Sequence, residues 1–476
     1  MGLKLFNTMG RELQDFLPIN QNEVSIYACG PTVYNFAHIG NLRTYVFEDI
    51  LKRVLFFLGY KVKHMMNITD VGHLTDDGDS GEDKMEKSAR EAGKTAWEIA
   101  QYYTEAFFKD IEQLNIIKPD IVSKATDNIQ EMIALIKRLE EKGFTYISGG
   151  NVYFSIDKFP DYGKLALLDR QKLFAGARIE IDSNKKNPYD FVLWFTKSKF
   201  ANQTMVWDSP WGRGYPGWHI ECSAMSMKFL GEHFDIHCGG IDHINVHHTN
   251  EIAQSEAATG RKWVNYWIHG EFLVLSKAKM AKSAGNFLTL DDIVKKGYEP
   301  LDYRYFCLTG HYRSQLQFSW ESLDSSRNAR LNLIEKVKSC FEEASKKAAE
   351  PANLSEYAGK IAADFRDSLE DDLNCPKALA VVWTMLKDSK ISPEEKLYLA
   401  LEFDKVMGFS LSEAINKESD KTIDSEISNL IASLIKEREE ARKNRDFKRS
   451  DVIRDKLKEL GVEIKDTPAG TVWKKL

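Results

Sequence analysis

The sequence predicts an α/β protein: a Rossmann-like parallel-sheet domain interrupted by an insertion, then a run of helices and a small C-terminal domain. Three observations predict it. Residues 23–66 run strand, helix, strand. Residues 211–275 return to that βα character after a stretch of different texture. From about 326 to 410 helical patterns dominate. A chain of 476 residues has room for two to four domains.

The elements follow in order. EVSIYAC, residues 23–29, is rich in β-branched and aromatic residues and reads as a strand. CGPTVYNFAHIGN then supplies the Gly, Pro and Asn of a loop. In NLRTYVFEDILKRVLFFLGY the apolar residues at 42, 46, 50, 54 and 57 keep a helical period, and Gly59 is placed to end the helix. KVKHMMNIT, 61–69, is the next strand. Such a unit implies a parallel sheet whose ligands lie beyond its C-terminal strand ends. Past the acidic stretch TDDGDSGED (75–83) the chain reads as helical to about Asn115. Residues 119–210 carry one helix (128–142), then Gly-rich and aromatic strand pieces, and read as an insertion between two halves of one sheet domain. The polar run 411–426 reads as a linker, and a helical pair with a short strand-like tail closes the chain.

Composition narrows the class. At 43% hydrophobic and 29% charged, the chain reads as an ordinary soluble globular protein. Its longest apolar run, near Val54–Leu58, falls far short of the ~18–20 residues of a membrane span, so no membrane is expected. The 6 cysteines (29, 222, 238, 307, 340, 375) are scattered and form no CxxC, which points to a reducing compartment, the cytoplasm. The net charge of −6 conceals an asymmetry. From Lys436 onward thirteen Lys/Arg face nine Asp/Glu, a net of +4, leaving −10 for the rest. A basic tail on an acidic body suggests local contact with a polyanion.

Three clusters carry chemistry. HIGN, His38–Asn41, lies in the loop between the first strand and helix. A glycine-bearing turn there places backbone N–H groups and a helix N-terminus where a phosphate can sit. KMAKSAGNF, Lys279–Phe287, is a positive loop able to neutralise a polyphosphate. HCGGIDHINVHHTNE, His237–Glu251, holds four histidines, a cysteine and the carboxylates of Asp242 and Glu251. Within it His247 and Glu251 are four apart on a helical stretch, so both reach one ion. Two thiolates, an imidazole and a carboxylate suit zinc. Residue chemistry alone does not select His247 over His243 or His248, nor Cys29 and Cys222 over Cys238.

HIGN and KMAKS, in this order and about 240 residues apart, resemble the HIGH and KMSKS signatures of class I aminoacyl-tRNA synthetases. Longer blocks (YACGPTVYNFAHIGNLRT, NPYDFVLW, SPWGRGYPGWHIECSAM, KMAKSAGNF, GHYRSQLQFS and the tail ARKNRDFKRSDVIRDKLKELGVEIKDTPAGTVWK) resemble the cysteinyl-tRNA synthetases over nearly the whole chain. Asn41 replaces the second His of HIGH and Ala281 the first Ser of KMSKS. The stretch NITDVGHLTDDGDSGEDK is longer than the family's usual form, which leaves Asp76 and Asp77 without a role.

The resemblance implies the following. The chain activates L-cysteine with ATP to cysteinyl-adenylate and transfers it to the 3′ end of tRNA(Cys). Cys29, Cys222, His247 and Glu251 bind one Zn2+ per chain. That ion takes the substrate sulfur and rejects serine without an editing domain. His237, Cys238, His243 and His248 belong to its surroundings. His38, Asn41, Asp242, Lys279 and Lys282 bind ATP, with His38, Lys279 and Lys282 catalytic. Asp242 takes the ribose hydroxyls, and Thr32 and Trp218 contact the amino acid. Mg2+ accompanies ATP. In the tail, Arg442, Asp451, Arg454, Asp466 and Trp473 contact tRNA. The expected division is a first catalytic half (1–118), a connective insertion (119–210), a second catalytic half (211–275), a KMSKS-loop and stem-contact region (276–325), a helical bundle (326–410) and a small anticodon-binding domain (427–476). A monomer is expected. Two alternatives stand beside this: a mycothiol-type cysteine ligase, and a non-catalytic tRNA-binding paralogue.

Overall fold

The computed structural model describes residues 2–72, 83–168, 183–197, 203–275, 278–279, 287–344, 354–416, 433–438, 440–442, 446–459, 462–467 and 470–475. It divides into two compact units, Met1–Phe409 and Ser410–Leu476.

The first unit is organised by a five-stranded sheet: β1 (Glu23–Ala28), β2 (Lys61–Ile68), β3 (Ile121–Lys124), β4 (Phe234–Gly240) and β5 (Val264–Gly270), in the spatial order β5-β4-β1-β2-β3. Every neighbouring pair is parallel, with Ile236 beside Ile26, Tyr27 beside Met65 and Cys238 beside Ile268. The order runs outward from β1 on one side, then restarts at β4 on the other. β1 and β4 therefore flank the topological switch point, where an open α/β sheet leaves a crevice. The expected strand–helix–strand unit is present as β1, helix α1 (Ile39–Phe57) and β2. α1 forms because Leu42, Val46, Ile50 and Val54 recur on one face and are buried.

That helix also buries charge. Asp49 pairs with Arg53 at 2.7 Å and with Arg304 at 2.6 Å. Arg304 is fully buried and donates to the carbonyls of Met407 and Leu114, so one guanidinium joins three segments of the unit. Arg43 donates to the carbonyls of Glu271, Phe272, His311 and Ser314, clamping the chain after β5 to α1.

Several details depart from the sequence reading. The helical stretch up to Asn115 is two helices, Lys84–Ala92 and Ala96–Gln113, separated where Gly93 turns left-handed (φ +62°) and Thr95 caps the second. Ile121–Lys124 lies inside the stretch read as an insertion, yet it is the edge strand β3 of the central sheet. The insertion builds a second, antiparallel sheet from Thr145–Ser148, Asn151–Phe154, Phe191–Phe195 and Tyr215–Pro216. Its last strand lies past residue 210, because Trp194 and Phe195 pair with Pro216 and Tyr215 over a small core of Tyr153, Val192, Phe195 and Tyr215. A hairpin of Lys4–Asn7 and Glu12–Asp15 precedes β1.

In the second unit, residues 411–416 are helical rather than linker-like, since Leu411 and Ile415 are buried. The tail is a full antiparallel hairpin, Val462–Thr467 with Gly470–Lys475. Among the described residues no helix is long and apolar enough to cross a membrane.

Candidate active site

The loop leaving β1 opens the crevice. Cys29 N–H donates to the Cys238 carbonyl at 3.3 Å, stitching the first residue past β1 to β4. Gly30 follows, and a Cβ there would lie 1.6 Å from the Asn67 carbonyl oxygen at the end of β2. Only glycine lets the loop turn so close to the neighbouring strand. A cavity of 940 Å³ lies above these strand ends, and Cys29, Thr32, His38, Asn41, Trp218 and Asp242 all line it.

The start of α1 is built differently from the sequence expectation. His38 is the N-cap, and its Nδ1 accepts from Asn41 N–H at 2.9 Å. Asn41 Oδ1 accepts from His38 N–H at 3.3 Å, completing a capping box. Ile39 N–H donates to the Leu288 carbonyl at 2.8 Å. The helix N-terminus has thus spent N–H groups that a phosphate was expected to use. The side chains keep donors of their own. With Nδ1 accepting, a neutral His38 carries its proton on Nε2, and Asn41 is left with its amide nitrogen as the donor. Phe287 packs edge-on against the His38 ring, 5.7 Å between centroids. The chain leaving KMAKSAGNF is therefore moored on the HIGN turn. Lys279 lies on a short strand, Ala278–Lys279, paired with Leu273–Leu275. Lys282, Asp76 and Asp77 lie outside the described residues.

Asp242 sits on the single turn Ile241–His243 just past β4 and lines the same cavity as the start of α1. Helix α2 (Trp218–Leu230) supplies Trp218 and Cys222, and helix α3 (His247–Thr259) supplies His247 and Glu251. Trp218 stacks on the His247 imidazole at 4.2 Å.

Donor atoms of Cys29, Cys222, His247 and Glu251 all lie within 4.8 Å of one another, and all four residues are buried. A second quartet, Cys29, His237, His248 and Glu251, meets the same limit. Glu251 is the hub. Its Oε1 lies 2.7 Å from His247 Nε2, and its Oε2 lies 2.7 Å from His237 Nε2. Oε1 is nevertheless buried without a well-formed hydrogen bond, as expected of a lone pair aimed at a cation rather than a proton. Cys222 Sγ lies 3.5 Å from His247 Nε2.

Burial works to raise both thiols. At Cys29 it prevails, whereas the hydrogen bond with Cys29 and the His247 charge bring Cys222 below the ordinary thiol range. Burial is the largest influence on His247 and disfavours its cation, but the charges and hydrogen bonds of Glu251 and Cys222 together outweigh it and hold His247 up at about 10. Two sulfurs, one imidazole and one carboxylate at this spacing form a donor set that fits zinc.

The outer ring of histidines favours the first quartet. His247 Nδ1 is 2.9 Å from His219 Nδ1, which orients Nε2 toward the cluster. His248 Nε2 lies 3.3 Å from Cys29 Sγ, its Nδ1 2.8 Å from His269 Nε2, and His269 Nδ1 2.7 Å from Thr8 Oγ1. Burial, reinforced by neighbouring imidazoles, holds His248 and His269 neutral. With Cys29 Sγ accepting, the chain has one consistent polarity: Thr8 donates to His269, His269 to His248, and His248 to sulfur. That role keeps His248 one bond away from an ion. Sequence reasoning missed His219, His269 and Thr8. His269 had one legible signal, its place at the C-terminal end of a strand. Thr8 had none.

In the tail, Arg442 is exposed on a helical stretch, and Arg454 pairs with Asp451 at 3.4 Å on the helix Phe447–Glu459. Asp466 and Trp473 fall on opposite strands of the terminal hairpin, two register steps apart.

Comparison with known proteins follows these lines. Residues 15–328 match the model of the class I (C) tRNA synthetase catalytic domain, and residues 424–473 that of the cysteinyl-tRNA ligase anticodon-binding domain. Over 100% of both chains, the protein is 55% identical to a cysteine–tRNA ligase of Treponema denticola and 47% identical to one of Borreliella burgdorferi. Among solved structures it is similar in fold to methionyl-tRNA synthetase of Mycobacterium tuberculosis with methionyl-adenylate. The TM-score is 0.59 at 16% identity, covering 83% of this chain and 93% of that one.

Proposed function

This chain belongs to the cysteine–tRNA ligase family of class I aminoacyl-tRNA synthetases, and from that premise we propose how its own residues join L-cysteine to tRNA(Cys) with ATP. The observation that carries the assignment of roles is the convergence of Cys29, Thr32, His38, Asn41, Trp218 and Asp242 on one cavity at the sheet's switch point. The cysteine carboxylate attacks the α-phosphorus of ATP in line, giving cysteinyl-adenylate and releasing pyrophosphate. The terminal ribose hydroxyl of tRNA then attacks the acyl carbon, and AMP leaves.

Such displacements are accelerated chiefly by positioning and charge neutralisation. His38 donates through Nε2–H and Asn41 through its amide nitrogen to the phosphates. Lys279 and Lys282 close over them, with Lys282 meeting the charge that develops at the α-phosphate. Asp242 accepts from the ribose hydroxyls. Thr32 and Trp218 flank the amino acid. Cys29, Cys222, His247 and Glu251 hold one Zn2+, which when bound supplies a soft Lewis acid that prefers a substrate thiolate to a hydroxyl. Mg2+ accompanies ATP.

In the tail, Arg442, Asp451, Arg454, Asp466 and Trp473 serve tRNA. The division into two catalytic halves, insertion, KMSKS-loop region, bundle and anticodon-binding domain completes the proposal, with a cytoplasmic monomer as the working form. Cysteine-dependent ATP–pyrophosphate exchange followed by tRNA charging tests it. Exchange and charging with cysteine, and neither with serine, is the expected result. Exchange without charging would point to a mycothiol-type ligase, and loss of both to a non-catalytic paralogue.

A further inference from the structure

The rim of the cavity carries a feature that adenylate formation does not use. Phe36, in the loop between Cys29 and His38, meets Tyr103 and Tyr102 edge-on at 5.0 and 6.0 Å between ring centroids. The two tyrosines meet each other at 5.1 Å. Phe36 is 39% exposed and Tyr102 46%. Each edge-to-face contact covers a face of only one of its two rings, and Phe36 and Tyr102 keep a large part of their surface in solvent. Cations border the group. Lys94 Nζ lies 4.8 Å above the Tyr102 ring, and Lys84 and Lys87 line the same wall of the cavity, which they share with one carboxylate, Glu91. The cavity lining includes Phe36 and Tyr103, while Tyr102 and Lys94 extend the surface beyond it.

We propose that this aromatic corner, Phe36, Tyr102 and Tyr103 with Lys84, Lys87 and Lys94, receives the unpaired 3′-terminal nucleotides of the tRNA and stacks their bases as the terminal ribose enters the cavity. The inference rests on the charging activity proposed above. Exposed aromatic rings beside lysines are what unpaired bases and their phosphodiesters recognise. Continuity decides the occupant. A small substrate ends inside the cavity, whereas a surface running from the cavity outward fits a ligand that does the same. The acyl acceptor has one end at the adenylate and its body outside.

Tyr102→Ala, Lys94→Ala and Tyr102→Phe test this with two tRNAs, one complete and one lacking its unpaired 3′ nucleotides. Tyr102→Ala should weaken binding of the complete tRNA, and lower its charging kcat/KM, roughly tenfold. It should leave the truncated tRNA unaffected. Lys94→Ala should act in the same direction, and Tyr102→Phe should behave as wild type. Cysteine-dependent exchange should stay within about twofold in all three. Equal weakening of both tRNAs, or no weakening, overturns the proposal. So does loss of exchange in Tyr102→Ala, or a change in oligomeric state with tRNA binding intact, which would assign the corner to a second copy of the chain. Absence of exchange in the wild-type protein would instead refute the activity on which the proposal stands.

Discussion

Replacing Cys222 with Ser, in parallel with His248→Gln, separates the two metal quartets that the geometry allows. Cys222 belongs only to the first and His248 only to the second, while Cys29 and Glu251 serve both. A four-donor zinc site is worth about 10–16 kcal/mol at neutral pH, so one donor carries about 2.5–4 kcal/mol, or roughly a hundredfold to a thousandfold in affinity. Serine is close in size to cysteine and Cys222 is 1% exposed, so the fold should tolerate the change while the hydroxyl fails to ionise. His248 acts through its contact with Cys29 Sγ at 3.3 Å, and losing such a partner costs about 10–100-fold. Chelator competition on purified protein measures both affinities, and metal analysis after dialysis gives the stoichiometry. The expected order is wild type, then His248→Gln, then Cys222→Ser. Exchange assays should show Cys222→Ser losing its preference for cysteine over serine. A Cys222→Ser protein that keeps its ion within tenfold, beside a His248→Gln protein that loses it, would refute the first quartet and install the second.

Three further outcomes follow from other parts of the molecule. His64 is buried with neither ring nitrogen bonded, and burial, aided by the Lys52 charge, holds it down at about 3. The unfolded chain takes up the proton first, below about 6.5. Stability contributed by the neutral ring is therefore intact above that pH and is lost as pH falls toward 3, about 2 kcal/mol of it by pH 5. Denaturant unfolding at pH 7 and pH 5 should show His64→Leu shrinking the acid loss by about that amount, and an unchanged loss would count against the assignment. Arg304→Met should cost about 3 kcal/mol, the low end for a broken buried pair, because Asp49 keeps Arg53 and the Ile117 N–H. Arg304→Lys should not rescue it, since one ammonium cannot reach Met407, Leu114 and Asp49 together. Lys282→Ala should lower kcat of exchange by about 10²–10³ with little change in KM for ATP, and a shift in KM alone would make the lysine a ground-state contact.

What the sequence made legible was local. β1, α1 and β2 were readable because period-2 and period-3.6 apolar patterns and a turn-rich loop sit within fifty residues. That His247 and Glu251 can reach one ion was readable because a helix fixes what lies four apart, but their choice over His243 and His248 was not. Cys29 and Cys222 were not, since their approach depends on β4 pairing with β1, a long-range event that no spacing encodes. Family resemblance supplied them, and even the folded geometry leaves a second quartet open. Thr8 shows the limit most plainly. It follows a hairpin strand that the periodicities did not reveal, and it matters only because three hydrogen bonds carry it to Cys29 Sγ.

The start of α1 shows how a correct local reading can mislead about mechanism. A glycine turn entering a helix suggests a phosphate held by backbone N–H groups. Here Ile39 N–H is bound by Leu288 and Asn41 N–H by His38, so those amides are committed before any ligand arrives. In the function proposed above, anion recognition passes to side chains, His38 Nε2 and the Asn41 amide, which the capping box orients. The Asn at position 41 then has a structural reason. Its Oδ1 accepts the His38 N–H that closes the box, and the same group still presents a donor. The bond from Ile39 to Leu288 ties that donor pair to the segment just past the lysine-bearing loop. Phe287 and Leu288 are thereby held at the same turn as the proposed phosphate donors, and a substitution at either should be felt in ATP–pyrophosphate exchange.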